Sequence, residues 1–100
     1  MSVTVIVSFK VKPDLVLPFI SLIEANQIHM IQAGALSVVL LKGEEKHNLV
    51  VEIEKWESIE DHKNFAKIVA ESPTFKEFDS YLLEPYKVVY LDTVSRQDAF

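Results

Sequence analysis

Three histidines are the side chains in this sequence best suited to acid–base chemistry near neutral pH, because an unperturbed imidazole titrates at about pH 6.5. His62 shares a helical side with Ile59 and Ala66, and this spacing favours an inward position. There it could serve as a base or as a hydrogen-bond partner in a pocket. The alternative is a half-exposed surface histidine beside Asp61 and Lys63, which is the commoner situation. His62 is therefore a candidate catalytic residue whose burial decides its role.

The other two histidines are not at metal-ligand spacing from His62, so the sequence predicts no metal site. His29 falls late in a predicted helix, where a cation suits the helix dipole, and His47 falls in a charged turn. The chain contains no cysteine, which excludes a thiolate metal site, a disulfide framework and a cysteine nucleophile. Its two glycines are isolated and predict no phosphate-binding loop.

One predicted strand carries several polar and aromatic candidates. Trp56 could stack on an aromatic ligand and donate its N–H, or it could pack in the core. Asn48 could orient a substrate oxygen, although asparagine is also a common turn residue before a strand. Glu52 and Glu54 could share acid–base work. Carboxylates two residues apart on a strand are, however, more typical of a solvated or interface face.

Further candidates lie in the second half of the chain. Tyr81 is the phenol best able to approach a pocket from the last helix. Phe65 and Phe78 are expected in the core, and in a small barrel core residues can also line a ligand cavity. Thr74 can donate a hydrogen bond but cannot act as a base near neutral pH.

The first half of the chain predicts a strand, a helix and a hairpin. Apolar residues alternate with polar ones from Val3 to Val11, which is typical of a strand. Helical spacing of apolar residues then predicts a helix from Leu15 to about Ile31, ended by Gly34. Residues 35–41 and 48–56 are predicted to be the two strands of a hairpin around a charged turn.

The second half predicts two short helices and a last strand. A capping box at 58–61 opens one helix, and a Ser-Pro pair at 72–73 opens the other. A Glu-Pro pair at 84–85 ends the second helix, and a strand follows over 86–92. The order β-α-β-β-α-α-β predicts an α+β fold of the ferredoxin-like, split β-α-β type, with an antiparallel sheet and helices on one face.

The composition predicts one domain, over residues 1–93, with a polar C-terminal tail at 94–100. Of the 100 residues 49% are apolar, whereas a domain of this size buries only about 60–65% of its unfolded surface. The strands at 36–41 and 86–91 are apolar on both faces. We therefore expect a homodimer whose subunits pack through the open face of the sheet.

Charge and hydropathy exclude several classes of partner. A chain of net charge −5 with a single arginine, Arg96, is a poor nucleic-acid binder, because phosphate contacts need clustered basic residues. No apolar run approaches the roughly 18 residues of a membrane span. The first residues lack the early positive charge of a signal peptide. A cytoplasmic protein without membrane contact is expected.

Four motifs, in order over about residues 3–92, resemble the antibiotic biosynthesis monooxygenase (ABM) domain. This family of small dimeric α+β barrels includes quinol monooxygenases. The motifs are FKVKP at 9–13, GAL at 34–36, the segment from Asn48 to the EKWES at 54–58, and SPTF at 72–75.

The resemblance implies a pocket between sheet and helices that holds a small, flat aromatic substrate. Enzymes of this family oxidise phenols or quinols with O₂ and need no metal, flavin or other cofactor. On this basis His62 is the candidate base. The candidate pocket residues are Asn48, Trp56, Phe65, Thr74, Phe78 and Tyr81.

Other functions are compatible with the same fold. Many family members carry histidine where this chain has Thr74, which favours a non-catalytic dimer that binds a ligand or responds to stress. An isomerase or cyclase would use the same pocket without O₂. Haem degradation would need an iron-ligating histidine in the last helix region, and residues 71–85 contain none.

Overall fold

Four strands and three α-helices form the computed structural model, which describes residues 2–99. The strands are β1 (Val3–Lys10), β2 (Ala35–Lys42), β3 (Leu49–Trp56) and β4 (Lys87–Leu91). The helices are α1 (Val16–Ala33), α2 (Ile59–Ala70) and α3 (Pro73–Ser80), and a 3₁₀ turn at Pro13–Leu15 precedes α1. The predicted order of elements is confirmed and most boundaries shift by one or two residues, but α3 ends at Ser80 rather than at the predicted break before Pro85.

The strands form one open antiparallel sheet in the order β2-β3-β1-β4. The central strand β1 sets the faces. Val5 pairs with Glu54 of β3 and with Tyr90 of β4, so these three residues lie side by side on one face. Val7 likewise pairs with Glu52. The α+β ferredoxin-like fold predicted from the sequence is confirmed.

Local signals in the sequence explain where the helices begin and end. Gly34 ends α1 with a φ of 120°, a left-handed conformation that residues with a Cβ rarely adopt. The hydroxyl of Ser58 accepts a hydrogen bond from the backbone N–H of Asp61 at 3.1 Å and so caps α2. Pro73 begins α3, while the Ser72 hydroxyl donates to the carbonyl of Val69 rather than capping the helix.

The hydrophobic core lies between one face of the sheet and the helices. Val5, Val50 and Trp56 from the sheet are fully buried, as is Phe19 from α1. The opposite face carries apolar residues that a single chain leaves exposed, at 43–49%: these are Val39, Leu41, Val89 and Leu91. The apolar surplus thus lies on the second faces of the strands, as predicted.

Residues 92–99 follow β4 without regular secondary structure. The division between a domain and a tail at residue 93 stays a prediction. Within residues 2–99, no helix has the combination of length and apolar character that crossing a bilayer requires.

Candidate active site

A cavity of about 90 Å³ lies between the sheet and the three helices. Its walls are mostly aliphatic and aromatic, and most of its polar groups come from β3 and α2. The lining residues are Val7, Phe9, Ile23, Asn26, Met30, Glu52, Glu54, His62, Phe65, Ala66, Val69, Phe75, Phe78, Tyr86 and Val88. Such a lining suits a flat apolar ring that carries a small number of polar substituents.

Glu52 and Glu54 lie on the sheet side of this cavity, with only 5% and 1% of their surfaces exposed. The expectation that they occupy a solvated or interface face is wrong. Side chains alternate along a strand, so both glutamates must share the face of Trp56, whose indole is fully buried. The more apolar row of β3, Leu49, Val51 and Ile53, lies on the open face instead.

The two carboxyl groups divide the roles of acid and base between them. Burial raises the pKa of Glu52 to about 9, and the nearby charge of Glu54 adds to this rise. Burial also raises the pKa of Glu54, but hydrogen bonds from Trp56 and Glu52 oppose that rise. The Trp56 Nε1–H donates to Glu54 Oε1 at 2.8 Å. We therefore assign a proton to Glu52 and the negative charge of the pair to Glu54.

His62 is buried, with 5% of its surface exposed, so the surface alternative is wrong. Its Nδ1 lies 2.8 Å from the Tyr90 hydroxyl, and its Nε2 lies 3.6 Å from Glu54 Oε1. Burial lowers the pKa of His62, so the ring is neutral at pH 7 and carries one N–H. The carboxylate of Glu54 favours that proton on Nε2, which leaves Nδ1 to accept from Tyr90.

These contacts form a continuous polar chain from the interior to the edge strand. It runs from Trp56 through Glu54 and His62 to Tyr90 on β4, whose phenol is partly exposed. Burial raises the pKa of Tyr90, so its phenol keeps its proton at neutral pH. Glu54, His62 and Tyr90 can each accept and release a proton, so this part of the chain could carry a proton between the cavity and the surface, whereas the Trp56 N–H only donates.

Three of the residues proposed from the sequence line the cavity. His62 and Phe65 reach it from α2, and Phe78 reaches it from α3. Trp56 lies behind the lining, with its ring centroid 5.4 Å from that of His62 and 5.6 Å from that of Phe65. Its indole therefore supports two lining side chains and Glu54, rather than forming an exposed wall.

Asn48, Tyr81 and Thr74 do not line this cavity. Asn48 lies just before β3, where its backbone carbonyl accepts the N–H of Val11 at 2.8 Å. Tyr81 packs on the ring of Phe19, with centroids 6.0 Å apart. The turn alternative weighed for Asn48 therefore describes its position better than a pocket role does, and Tyr81 is a packing residue rather than a pocket residue.

Thr74 instead lines a second, more open cleft of about 410 Å³ between the helices. Exposed His29 lies in the same cleft. Asn26, Phe65 and Val69 line both the cleft and the cavity, so the two spaces are neighbours.

Sequence reasoning gave too little weight to Glu52 and Glu54, and among the three phenols it ranked Tyr81 above Tyr86 and Tyr90. Tyr86 lines the cavity and Tyr90 bonds to His62. The available signal was the spacing of two on β3, which ties both glutamates to the face of Trp56. No comparable signal marked the two tyrosines, because β4 is apolar on both faces.

The model of the antibiotic biosynthesis monooxygenase family matches residues 2–80 of this chain. The protein belongs to this family. No curated protein matches the chain by sequence comparison.

Solved structures share the ABM fold at low identity. A monooxygenase from the gene ActVA-Orf6 of Streptomyces coelicolor, in complex with nanaomycin D, is 20% identical with a TM-score of 0.81. That match covers 99% of this chain and 93% of the other. A mutant of SnoaB, a cofactor-independent oxygenase from Streptomyces nogalater, is 18% identical with a TM-score of 0.74, covering 95% of each chain. Rv0793 from Mycobacterium tuberculosis is 19% identical with a TM-score of 0.72, covering 98% of this chain and 100% of the other.

Proposed function

We propose that this ABM protein is a cofactor-independent monooxygenase that oxidises a small quinol or other phenol with O₂. The observation that carries the proposal is the cavity itself, in which aromatic walls surround two buried carboxyl groups and a neutral imidazole. Family membership supports a monooxygenase-type reaction. Likeness in fold to a cofactor-independent oxygenase is consistent with it.

The reaction requires no electron donor other than the substrate. Removal of the hydroxyl proton gives an electron-rich phenolate that can react with O₂ at an unsubstituted ring carbon. One oxygen atom becomes a carbonyl on that carbon, and the other leaves as water with the two hydrogens that the phenol loses. For a simple phenol the products are a para-quinone and water, so atoms and electrons balance.

The protein supplies binding, proton removal and a dry site. Rings of Phe65, Phe75 and Phe78 hold the substrate, and the largely apolar lining disfavours water. His62 connects Glu54 to Tyr90, so we assign it to the path by which the substrate proton leaves. Nδ1 of His62 is hydrogen-bonded to Tyr90 and its Nε2 faces Glu54 Oε1 at 3.6 Å, an arrangement that favours a relay over direct attack on the substrate hydroxyl.

The cavity size restricts the substrate. An apolar cavity of about 150 Å³ is enough to bind benzene, and the cavity here is about 90 Å³. The lining side chains must therefore move apart to admit even a single substituted ring, and a fused-ring substrate is disfavoured. Thr74 lies outside this cavity, so the presence of threonine instead of histidine at position 74 does not change the polar groups of the cavity.

We also propose that the protein acts as a homodimer through the open face of the sheet. Val39, Ile53, Ile6 and Val89 form one continuous apolar row across all four strands on that face. A second copy would cover this row and complete a barrel from two sheets.

Oxygen consumption with a panel of monocyclic quinols and phenols, in the presence of a metal chelator, tests the function. We expect uptake with at least one of them, and His62→Ala should lower kcat by about a hundredfold or more. His47→Ala is the matched control, because His47 is exposed in a turn and should not affect the rate.

Four outcomes would contradict the proposal in different ways. No uptake with any phenol would reject the oxygenase, and loss of uptake on chelation would reject independence of metals. Equal rates for wild type and His62→Ala would remove His62 from the mechanism. Turnover without O₂ would indicate an isomerase or cyclase instead.

A further inference from the structure

One oxygen of the Glu52 carboxyl group is buried and has no hydrogen-bond partner among the residues that the structure describes. That oxygen is Oε2. Its neighbours on the sheet are Leu40 and Val7, which offer no polar groups. A buried polar atom without a partner is rare and destabilising, and here the residue lines the cavity. The missing partner is therefore expected to be a hydrogen-bond donor on a ligand.

Glu52 has a second carboxyl group as its neighbour. The side chains of Glu52 and Glu54 form a hydrogen-bonded pair. A carboxylic acid can accept a proton on one oxygen while it gives one from the other. Glu52 and Glu54 both line the cavity, so a proton received at Glu52 can pass to the negative charge on Glu54.

We propose that Glu52 Oε2 receives the hydroxyl group of the substrate and that the Glu52 carboxyl group passes the proton to Glu54. The O–H bond of the substrate breaks as one forms at Oε2, while the O–H bond facing Glu54 breaks and re-forms on the Glu54 carboxylate. Glu52 stays neutral, Glu54 becomes protonated, and the electron pair remains on the substrate as a phenolate. The chemistry of this step rests on the proposed function, whereas the contact with the hydroxyl group does not require O₂.

The acidity of the groups is compatible with this transfer. The group that finally holds the proton is Glu54, and burial raises the pKa of its carboxyl group towards the value of about 10 for a phenol. Proton transfer between groups of similar acidity needs little additional driving force. The substrate class is correspondingly restricted to rings with a hydroxyl group at the edge that meets β3.

A ligand pair that differs by one hydroxyl group tests the contact directly. Under nitrogen, calorimetry would give the affinities of 4-methylphenol and 4-methylanisole, with quenching of Trp56, the only tryptophan, as a second signal. We expect wild type to favour the phenol by about tenfold or more. Glu52→Leu should reduce this ratio to nearly one. Glu57→Gln, at an exposed position, should leave it unchanged.

Glu52→Gln tests the proton transfer, because the amide keeps the size and polarity of the side chain but cannot pass a proton. We expect KM for the best phenol to change less than about threefold, while kcat falls by about a hundredfold. For phenols that are already ionised at the assay pH, kcat should fall much less in Glu52→Gln, since these substrates need no base. This dependence on substrate acidity would not arise from a merely structural defect.

The proposal is overturned if Glu52→Leu keeps the wild-type preference for the phenol, if wild type shows no such preference, or if Glu52→Gln keeps the wild-type kcat. Its failure is distinguishable from that of the proposed function. Oxygen uptake that is indifferent to both Glu52 variants rejects only this inference. A preference for the phenol that disappears in Glu52→Leu, without oxygen uptake by wild type, rejects only the oxygenase.

Discussion

A buried acid that keeps its proton at neutral pH makes the stability of the fold depend on pH. The pKa of Glu52 is raised from 4.5 to about 9, by burial first and by Glu54 second. Below pH 4.5 the folded and unfolded chains both hold this proton. Between pH 4.5 and about 9 only the unfolded chain releases the proton. This contribution to stability is therefore lost as the pH rises towards the pKa of Glu52 in the folded chain. His62 and Tyr86 are the other ionisable groups that share the cavity.

Glu52→Gln is therefore expected to stabilise the protein at alkaline pH. The amide can still donate to Glu54 but has no proton to lose. We expect the free energy of unfolding to rise by roughly 2–5 kcal/mol at pH 8, and the gain to shrink towards zero near pH 4.5. Urea unfolding of wild type, Glu52→Gln and the exposed control Glu57→Gln over this range checks it. If the free energy of unfolding varied with pH in the same way for wild type and Glu52→Gln, the raised pKa of Glu52 would be contradicted.

The burial of the two glutamates could not be predicted from residue types alone. On β3 the alternating pattern offers two faces, and the row of Leu49, Val51 and Ile53 is the more apolar. Hydrophobicity alone would turn that row inward. The pairing of Val3 with Trp56 and of Val5 with Glu54 fixes the opposite choice, and this register is a long-range property.

At the scale of elements, α2 brings both His62 and Phe65 to the cavity, and its first turn depends on one cap. The Ser58 hydroxyl accepts the N–H of Asp61 at 3.1 Å. Ser58→Ala should lower the free energy of unfolding by about 1 kcal/mol and speed amide exchange in the first turn of α2. Ser80→Ala removes an exposed bond to the carbonyl of Glu77 and serves as the control. An equal loss of unfolding free energy in Ser58→Ala and Ser80→Ala would show that the Ser58 cap does not stabilise α2 more than an exposed hydrogen bond does.

The elements themselves were largely predictable because each has a local cause. Alternation marked β1, the capping box marked α2, and Gly34 marked the end of α1. Cavity residues were harder to assign because their positions depend on how elements meet. Tyr81, expected on the last helix, lies just after α3 and packs on Phe19 of α1, whereas Tyr86 reaches the cavity from the segment before β4.

At the scale of the whole molecule, the apolar surplus of the composition has a specific location. The row of Val39, Ile53, Ile6 and Val89 crosses the open face, and its two edge residues are each 49% exposed in a single chain. Apolar residues on both faces of a strand predicted such a surface. The sequence of one chain cannot specify what covers it, because that depends on the fit between two folded surfaces.

If two copies cover this face, a charge on it should separate them without unfolding either one. Val39→Lys is the variant of choice, since its side chain is half exposed in one chain and a lysine there remains solvated in the monomer. Two-fold symmetry would place the charge twice in the interface, so we expect the dimer dissociation constant to rise by about a hundredfold or more. Leu17→Lys is the control, because Leu17 is 73% exposed on α1 and lies away from the sheet. Sedimentation velocity at micromolar concentration would show a dimer for wild type and Leu17→Lys and a monomer for Val39→Lys. A monomeric wild type, or a Val39→Lys variant that remains dimeric, would show that the open face is not the dimer interface.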